Sequence, residues 1–347
     1  MYYYKKLLTN IKPYNLIRKI FLTKKIKGMN LKMQHEKQIV SIILLNWNGE
    51  KDTVECLKSL RKLDYQDYVI YLVDNDSRES SLKYIEKYLN ESSYNSDIIT
   101  SDDLNMYQKP DDVNLIFILN HENAGFAGGN NVALNYLIDN PEVTDYVLLL
   151  NNDTIIKPNL IDALLDKLHT DEKIGFIGVP HYYYDNPDKL QTIGGGFIDI
   201  KHAEAIACME DKDEFDFITG SCIFMPIEVL KQIGSLPEDY FMYWEDVDWS
   251  TNARNHGYKL VITTDTSIYH KEGASIKSYK RIYYHTRNRI WYMRKYTNSI
   301  KYYKFLVYMI LFVLKTSTTA KNEDDKDYAK TLKLGLKDAL LNNKTII

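Results

Sequence analysis

From residue 39 onward the chain alternates two kinds of pattern. Ile39-Val40-Ser41-Ile42-Ile43-Leu44-Leu45, Val69-Ile70-Tyr71-Leu72-Val73, Leu115-Ile116-Phe117-Ile118-Leu119 and Tyr146-Val147-Leu148-Leu149-Leu150 are short, nearly unbroken apolar runs. Such runs read as strands buried on both faces. Between them, 51–62, 79–89, 128–139 and 158–168 read as helices, and a fifth strand is expected at 174–179. The polar, acidic stretch 91–112 reads as a loop or insertion. Strand–helix alternation predicts an α/β fold: a mainly parallel central sheet with flanking helices, Rossmann-like in its nucleotide-binding half. After about 181 the pattern changes to hairpins and mixed strands, with a helix after Pro226 and another from about 245 to 256. From 278 the chain reads as helical. The expected organisation is therefore a basic amphipathic arm at 1–38, a body at 39–275 and a helical extension at 276–347.

In parallel sheets, ligands collect at the carboxyl ends of the strands. Three polar clusters fall at such ends: Asn46-Trp47-Asn48-Gly49, Asp74-Asn75-Asp76-Ser77 and Asn151-Asn152-Asp153. Asp153 suits a hard cation such as Mg²⁺ or Mn²⁺, which prefers carboxylate oxygen and leaves sites open for phosphate. A turn accounts equally well for its residue types. At Asp74 an acid can accept hydrogen bonds from a base or ribose, or simply close a turn. Asn123-Ala124-Gly125-Phe126-Ala127-Gly128-Gly129-Asn130-Asn131 follows a strand and opens a helix, so its free N–H groups suit phosphate. It is neither Gly-x-Gly-x-x-Gly nor a P-loop.

Further along, Phe241, Tyr243, Trp244 and Trp249 surround Glu245, Asp246 and Asp248. Aromatic faces stack on sugar rings, and a carboxylate among them can take a proton from a hydroxyl. Acids in a first helical turn are also ordinary capping. His270 alone reads as a structural histidine. The cations of Tyr283-Tyr284-His285-Thr286-Arg287-Asn288-Arg289 suit a diphosphate or a solvated helix face.

Charge and composition narrow the class. The net charge of −3 hides an asymmetry: residues 1–38 hold ten Lys or Arg against one acid, so the remainder carries −12. An acidic body argues against nucleic-acid binding, and a basic arm suits an anionic membrane surface. Three scattered cysteines give no disulfide framework and fit a reducing cytosol. The N-terminal stretch lacks the apolar core of a secretory signal. The apolar run 305–314, closed by Lys304 and Lys315, is too short to cross a bilayer. It fits a buried helix or an interfacial segment.

Taken together and in order, the segments around Asn46, Asp74, Asn123–Asn131, Asn151–Asp153, Gly220–Phe224, Trp244–Asp248 and His270 resemble family 2 of the glycosyltransferases. The resemblance points to the GT-A fold and to the rhamnosyltransferase-like and galactofuranosyltransferase-like branch. It implies that Asp246 deprotonates the acceptor, with Glu245 beside it. Asp153 and His270 would hold Mg²⁺ or Mn²⁺. Asn46, Asn48, Asp74, Asn123, Gly125, Gly128, Asn131, Asn151, Asn152 and Trp244 would line the nucleotide-sugar site. Where the family's metal motif begins with an acid, this chain has Asn151.

The expected activity is inverting transfer of a hexose, with rhamnose the sugar pointed to, from a dTDP- or UDP-sugar to a cell-surface glycan or lipid-linked acceptor. The expected location is cytoplasmic, peripheral at the inner face of the membrane. Two other classes stay open at this level: a nicotinamide oxidoreductase, and a nonenzymatic sugar-binding protein.

Overall fold

The structure, a computed structural model, describes residues 38–271 and 278–347. Apart from Gln38, the expected basic arm lies outside the described residues. Residues 39–347 form one compact unit.

The first half follows the expected alternation. It runs β1 (Val40–Asn46), α1 (Glu50–Leu60), β2 (Tyr68–Asn75), α2 (Glu79–Glu91), β3 (Ser96–Thr100), β4 (Leu115–Asn120), α3 (Gly125–Asp139), β5 (Tyr146–Asn151), β6 (Thr154–Ile156), α4 (Leu160–Leu168) and β7 (Ile174–Gly178). Short strands follow: β8 (His181–Tyr183), β9 (Asn186–Thr192), β10 (Gly195–Asp199), β11 (Glu204–Ala207), β12 (Phe217–Ile218) and β13 (Cys222–Pro226). Then come α5 (Ile227–Ile233), α6 (Glu245–Asn255), β14 (Lys259–Ile262), β15 (Ile268–His270), α7 (Ser278–Tyr296), α8 (Ser299–Thr319) and α9 (Glu323–Leu341).

Eight strands form the main sheet in the order β14-β7-β13-β5-β1-β2-β4-β3. All neighbours are parallel except β13, which runs antiparallel to both β5 and β7. Successive strand residues serve opposite faces, so Ile42 and Leu44 pack with α1, α2 and α4, while Ile43 packs with α3, α5 and α6. A four-stranded sheet (β6-β15-β8-β9) and a three-stranded sheet (β11-β10-β12) sit beside it.

Two local departures from the sequence reading have clear causes. The segment read as a loop at 91–112 contains β3, a half-exposed edge strand with only Ile98 and Ile99 as apolar residues. An edge strand needs no continuous apolar run, which is why its pattern is faint. Helix α3 begins at Gly125, three residues earlier than its apolar periodicity indicated.

The 305–314 run lies within α8, which buries only Phe305, Met309 and Val313. No described helix is long and apolar enough to cross a membrane.

Candidate active site

At the carboxyl end of β1, Asn46 is fully buried and acts as a hub. Its Nδ2 donates to Asp74 Oδ1 (2.6 Å) and Ser77 Oγ (3.1 Å), and its Oδ1 accepts from Thr53 Oγ1 (2.9 Å). Asp74, 2% exposed, also accepts from the Ser77 amide (2.8 Å). Asn48 takes a left-handed backbone (φ 54°) and accepts from the Arg78 amide. These residues fix the loops at the ends of β1 and β2 against each other.

The segment after β5 meets the far end of the chain through strand register. β6 pairs antiparallel with β15, opposing Thr154 to His270. That register sets His270 Nε2 3.4 Å from Asp153 Oδ1. The other ring nitrogen, Nδ1, faces Gln191 Oε1 on β9 at 2.8 Å. With the amide oxygen placed there, Nδ1 carries the proton and Nε2 presents a lone pair. Asp153 Oδ1 is buried and has no hydrogen-bond partner. Two acceptors facing each other form an arrangement that a shared cation relieves. Among the described residues no third His, Cys, Asp or Glu completes a metal cluster. Asp153 and His270 thus fit a cation that takes its remaining ligands from substrate phosphate and water, as Mg²⁺ commonly does. Next to them, the Asn152 amide donates to Thr53 Oγ1 (2.8 Å), and the Asn151 backbone N–H donates to Ser221 O (3.0 Å).

The glycine-containing segment has a different job from the phosphate cradle its composition suggested. The Phe126 and Ala127 amides at the start of α3 donate to the carbonyl of Phe241 (2.7 and 3.3 Å). Asn123 Oδ1 accepts from the Gly125 amide. Gly125 has φ +74°, and a Cβ there would lie 2.4 Å from the Phe241 carbonyl oxygen. Glycine is required for this close approach. Gly128 is buried against Ala124. Asn131, 2% exposed, is fully engaged with Leu236 and with Glu238 Oε1. The helix start therefore receives the loop that carries the acids.

That loop is strained. Phe241, Tyr243 and Trp244 all have positive φ (64°, 65° and 79°). Asn288 on α7 holds it by donating to the carbonyls of Tyr240, Met242 and Tyr243 (3.0, 2.8 and 2.7 Å). Arg287, completely buried, adds bonds to the Tyr240 and Thr345 carbonyls (both 2.9 Å). These two residues are neither solvated nor free for a ligand. No local sequence signal announced this role, because the partners lie some 45 residues away.

The three acids that follow separate by environment. Asp248 is 2% exposed and anchors α7 through Lys295 Nζ (2.8 Å) and Tyr296 OH (2.9 Å), and it also accepts from Tyr240 OH (2.9 Å) in the preceding loop. Glu245 is buried, with Oε2 unpartnered. Burial, reinforced by the neighbouring Asp246 charge, pushes its carboxyl well above the ordinary range. Asp246 is only half-buried. Its Oδ2 accepts from the Gly220 amide (3.0 Å) and its Oδ1 from the Val247 amide (2.8 Å). Burial raises its pKa, and the two amides pull in the opposite direction.

The loop before β13 links the two clusters. Gly220 binds Asp246, and Ser221 O binds the end of β5. Ser221 Oγ meets His181 Nε2 (2.5 Å), whose ring packs edge-on against His270 (5.7 Å). Burial, then the neighbouring His270, pushes His181 down to about 3, so it is neutral. Trp244 is packed on Tyr292 (5.0 Å), and Tyr243 stacks on His285 (4.5 Å). The Gly220–Ser221 loop thus links Asp246 to the end of β5, two residues before Asp153 with its partner His270, while Gly128 and Asn131 are packed inside.

Known proteins place this geometry. Residues 37–290 match the family described as Glycosyltransferase like family 2. The Low-salt glycan biosynthesis hexosyltransferase Agl10 of Haloferax volcanii is 25% identical over 264 residues, 72% of this chain and 74% of the relative. The N-acetylglucosaminyl-diphospho-decaprenol L-rhamnosyltransferase of Mycobacterium tuberculosis is 26% identical over 152 residues, 39% of this chain and 50% of the relative. Among solved structures, the mannosyltransferase PcManGT of Pyrobaculum calidifontis, in complex with GDP-Man and Mn²⁺, superposes with a TM-score of 0.53. It is 12% identical, with 87% of each chain covered. GalNAc-T7 with UDP, GalNAc and Mn²⁺ gives a TM-score of 0.56 at 12% identity, covering 89% of this chain and 58% of that one. With the family match covering most of its length and the fold shared with GT-A enzymes, the chain belongs to glycosyltransferase family 2.

Proposed function

We propose that this glycosyltransferase transfers a hexosyl group from a dTDP- or UDP-sugar to a hydroxyl of a glycan or lipid-linked acceptor, with inversion. The observation that carries the reading is Asp246: a half-buried carboxylate bonded through the Gly220 amide to the loop whose Ser221 carbonyl meets the end of β5. In one displacement the acceptor O–H gives its proton to Asp246. Its oxygen forms the new bond to the anomeric carbon, and the bond from that carbon to the diphosphate breaks. Glu245 beside Asp246 is buried with Oε2 unpartnered, and burial together with the Asp246 charge pushes its carboxyl well above the ordinary range. Asp153 and His270 would hold Mg²⁺ or Mn²⁺, which balances charge on the departing diphosphate. The Asn46–Asp74 pair and the Asn48 turn shape the nucleoside side, with Asn123, Asn151 and Asn152 beside them.

The relatives support the chemistry: one is named for a hexosyl transfer, another for a rhamnosyl transfer to a diphospho-decaprenol acceptor. Two structures of the same fold hold a sugar nucleotide or nucleotide with Mn²⁺. We also place the protein at the cytosolic face of a membrane, supported by the apolar outer face of α8, where Val307, Leu311 and Leu314 are more than half exposed.

A binding screen tests the reading. dTDP-rhamnose, UDP-galactofuranose, UDP-glucose, UDP-galactose and UDP-N-acetylglucosamine are titrated with Mn²⁺. One or more is expected to bind in a metal-dependent way and to be turned over. Binding without transfer to any acceptor or water would return the chain to a sugar-binding role.

A further inference from the structure

Behind Trp244 lies a second cleft, about 330 Å³ in volume, between the start of β11 and α7. Trp244, His285 and Arg289 line its inner side, and Glu204 and Ile206 its rim. We propose that this cleft seats a phosphate group of the acceptor substrate, gripped by the Arg289 guanidinium. The inference rests on the glycosyl-transfer reading above and names the acceptor class for it.

Arg289 is the anomaly that points to a ligand. Two residues earlier on the same helix, Arg287 spends its N–H groups on backbone carbonyls and its face on Tyr283, Tyr284 and Trp291. Arg289 lies against the Phe305 ring, 6.0 Å from its carbon, and among the described residues it has no hydrogen bond. Its Nε is buried without a hydrogen-bond partner. Among the described residues no carboxylate closes an ion pair with it; the acid on the rim, Glu204, is exposed to solvent and acts on Arg289 through its charge without a hydrogen bond. A buried guanidinium N–H without an acceptor is costly, and a phosphate, with its tetrahedral set of acceptor oxygens, answers it. His285 adds no second charge: burial, with Arg281 and Arg289 nearby, pushes it down to about 4. The cleft therefore offers one fixed cation, an uncharged imidazole and an indole, a set suited to a phosphate joined to a sugar ring.

Position separates this phosphate from that of the donor. Trp244, which lines the cleft, directly precedes Glu245 and Asp246 in the chain. The cleft shares no residue with the Asn46, Asp74, Asp153 and His270 group. Outward from Arg289 the chain of contacts runs through Phe305 to Tyr308 on α8, 6.2 Å apart, and so to the apolar outer face of that helix. A sugar linked through phosphate to an apolar tail matches this sequence of surfaces.

The test is calorimetric titration of the full chain with inorganic pyrophosphate, once with a metal chelator and once with divalent cation in excess of pyrophosphate, the second with and without saturating UDP or dTDP. Pyrophosphate is expected to bind, and saturating nucleotide is expected to leave its affinity unchanged. Arg289→Gln should weaken it about tenfold or more, the loss of a charge-assisted contact, while Asp153→Ala leaves it intact. Displacement by nucleotide would assign the phosphate to the donor and overturn the proposal. So would equal affinity in the Gln variant, or no binding at all. If Arg289→Gln does not give a cooperative thermal unfolding transition, Arg289→Lys decides, with an expected loss smaller than tenfold but measurable. Failure of the donor reading would appear separately, as absent metal-dependent nucleotide binding in the wild-type chain.

Discussion

Asp246 and Glu245 are neighbours in sequence with different environments, and that difference makes their roles testable. The base must be ionised to accept a proton, and burial holds Asp246 above the ordinary aspartate value of 3.8. Transfer should therefore fall as pH drops through that raised pKa, earlier than for a solvated aspartate. The acid limb of a kcat/KM profile reads this directly. Asp246→Asn is expected to lower kcat by about 10² to 10⁴ while donor affinity holds, and turnover near the wild-type rate would refute the assignment. At the Asp153–His270 pair proposed to hold the cation, Gln191 holds the His270 ring through Nδ1. Gln191→Ala should weaken Mn²⁺ affinity about 10- to 100-fold, measured by the electron paramagnetic resonance of free Mn²⁺. Gln191 was invisible in the sequence for a physical reason. It reaches His270 across 79 residues through strand pairing, and local patterns do not encode register between distant short strands. Asp153 was visible because it follows an apolar strand directly, and Asp246 because it opens a helix among aromatics. Asn131 misled for the same reason in reverse: its place in the motif did not reveal that Leu236 and Glu238 would claim its amide.

At the level of elements, α7 supports the loop before the acids. Three residues in left-handed conformations persist only when their surroundings fix them, and Asn288 supplies three of the fixing bonds. Asn288→Ala should cost roughly 1–3 kcal/mol, seen as a lower Tm, because it leaves buried carbonyls without a donor. An unchanged Tm would show that water replaces the amide. Helix α8 carries a separate expectation. It buries Phe305, Met309 and Val313 and exposes Val307, Leu311 and Leu314, and Lys301, Lys304 and Lys315 are its only charged residues. Replacing the three exposed residues with Asn should reduce sedimentation with anionic liposomes several-fold while leaving Tm near the wild-type value. Equal sedimentation of both proteins would remove α8 from the membrane contact. The sequence showed this run and its lysine borders, but not which third of it faces inward, since nearly every position is apolar.

Across the whole molecule, the order of the main sheet decides how its halves depend on each other. The parallel strands β1, β2, β4 and β5 were legible from their apolar runs and intervening helices. The insertion of β13 between β5 and β7 was not, because an antiparallel strand from the second half carries no mark of its partners. This reversed strand has a consequence for any attempt to divide the protein. A fragment ending near residue 180 contains β5 and β7 but leaves a gap one strand wide between them, each with a bare edge of unpaired N–H and C=O groups. Open apolar edges of that kind recruit other chains. The fragment should accumulate as aggregate when expressed alone, and co-expression with 181–347 should return soluble material. In this enzyme the half that resembles a stand-alone nucleotide domain would depend on its successor to close its own sheet.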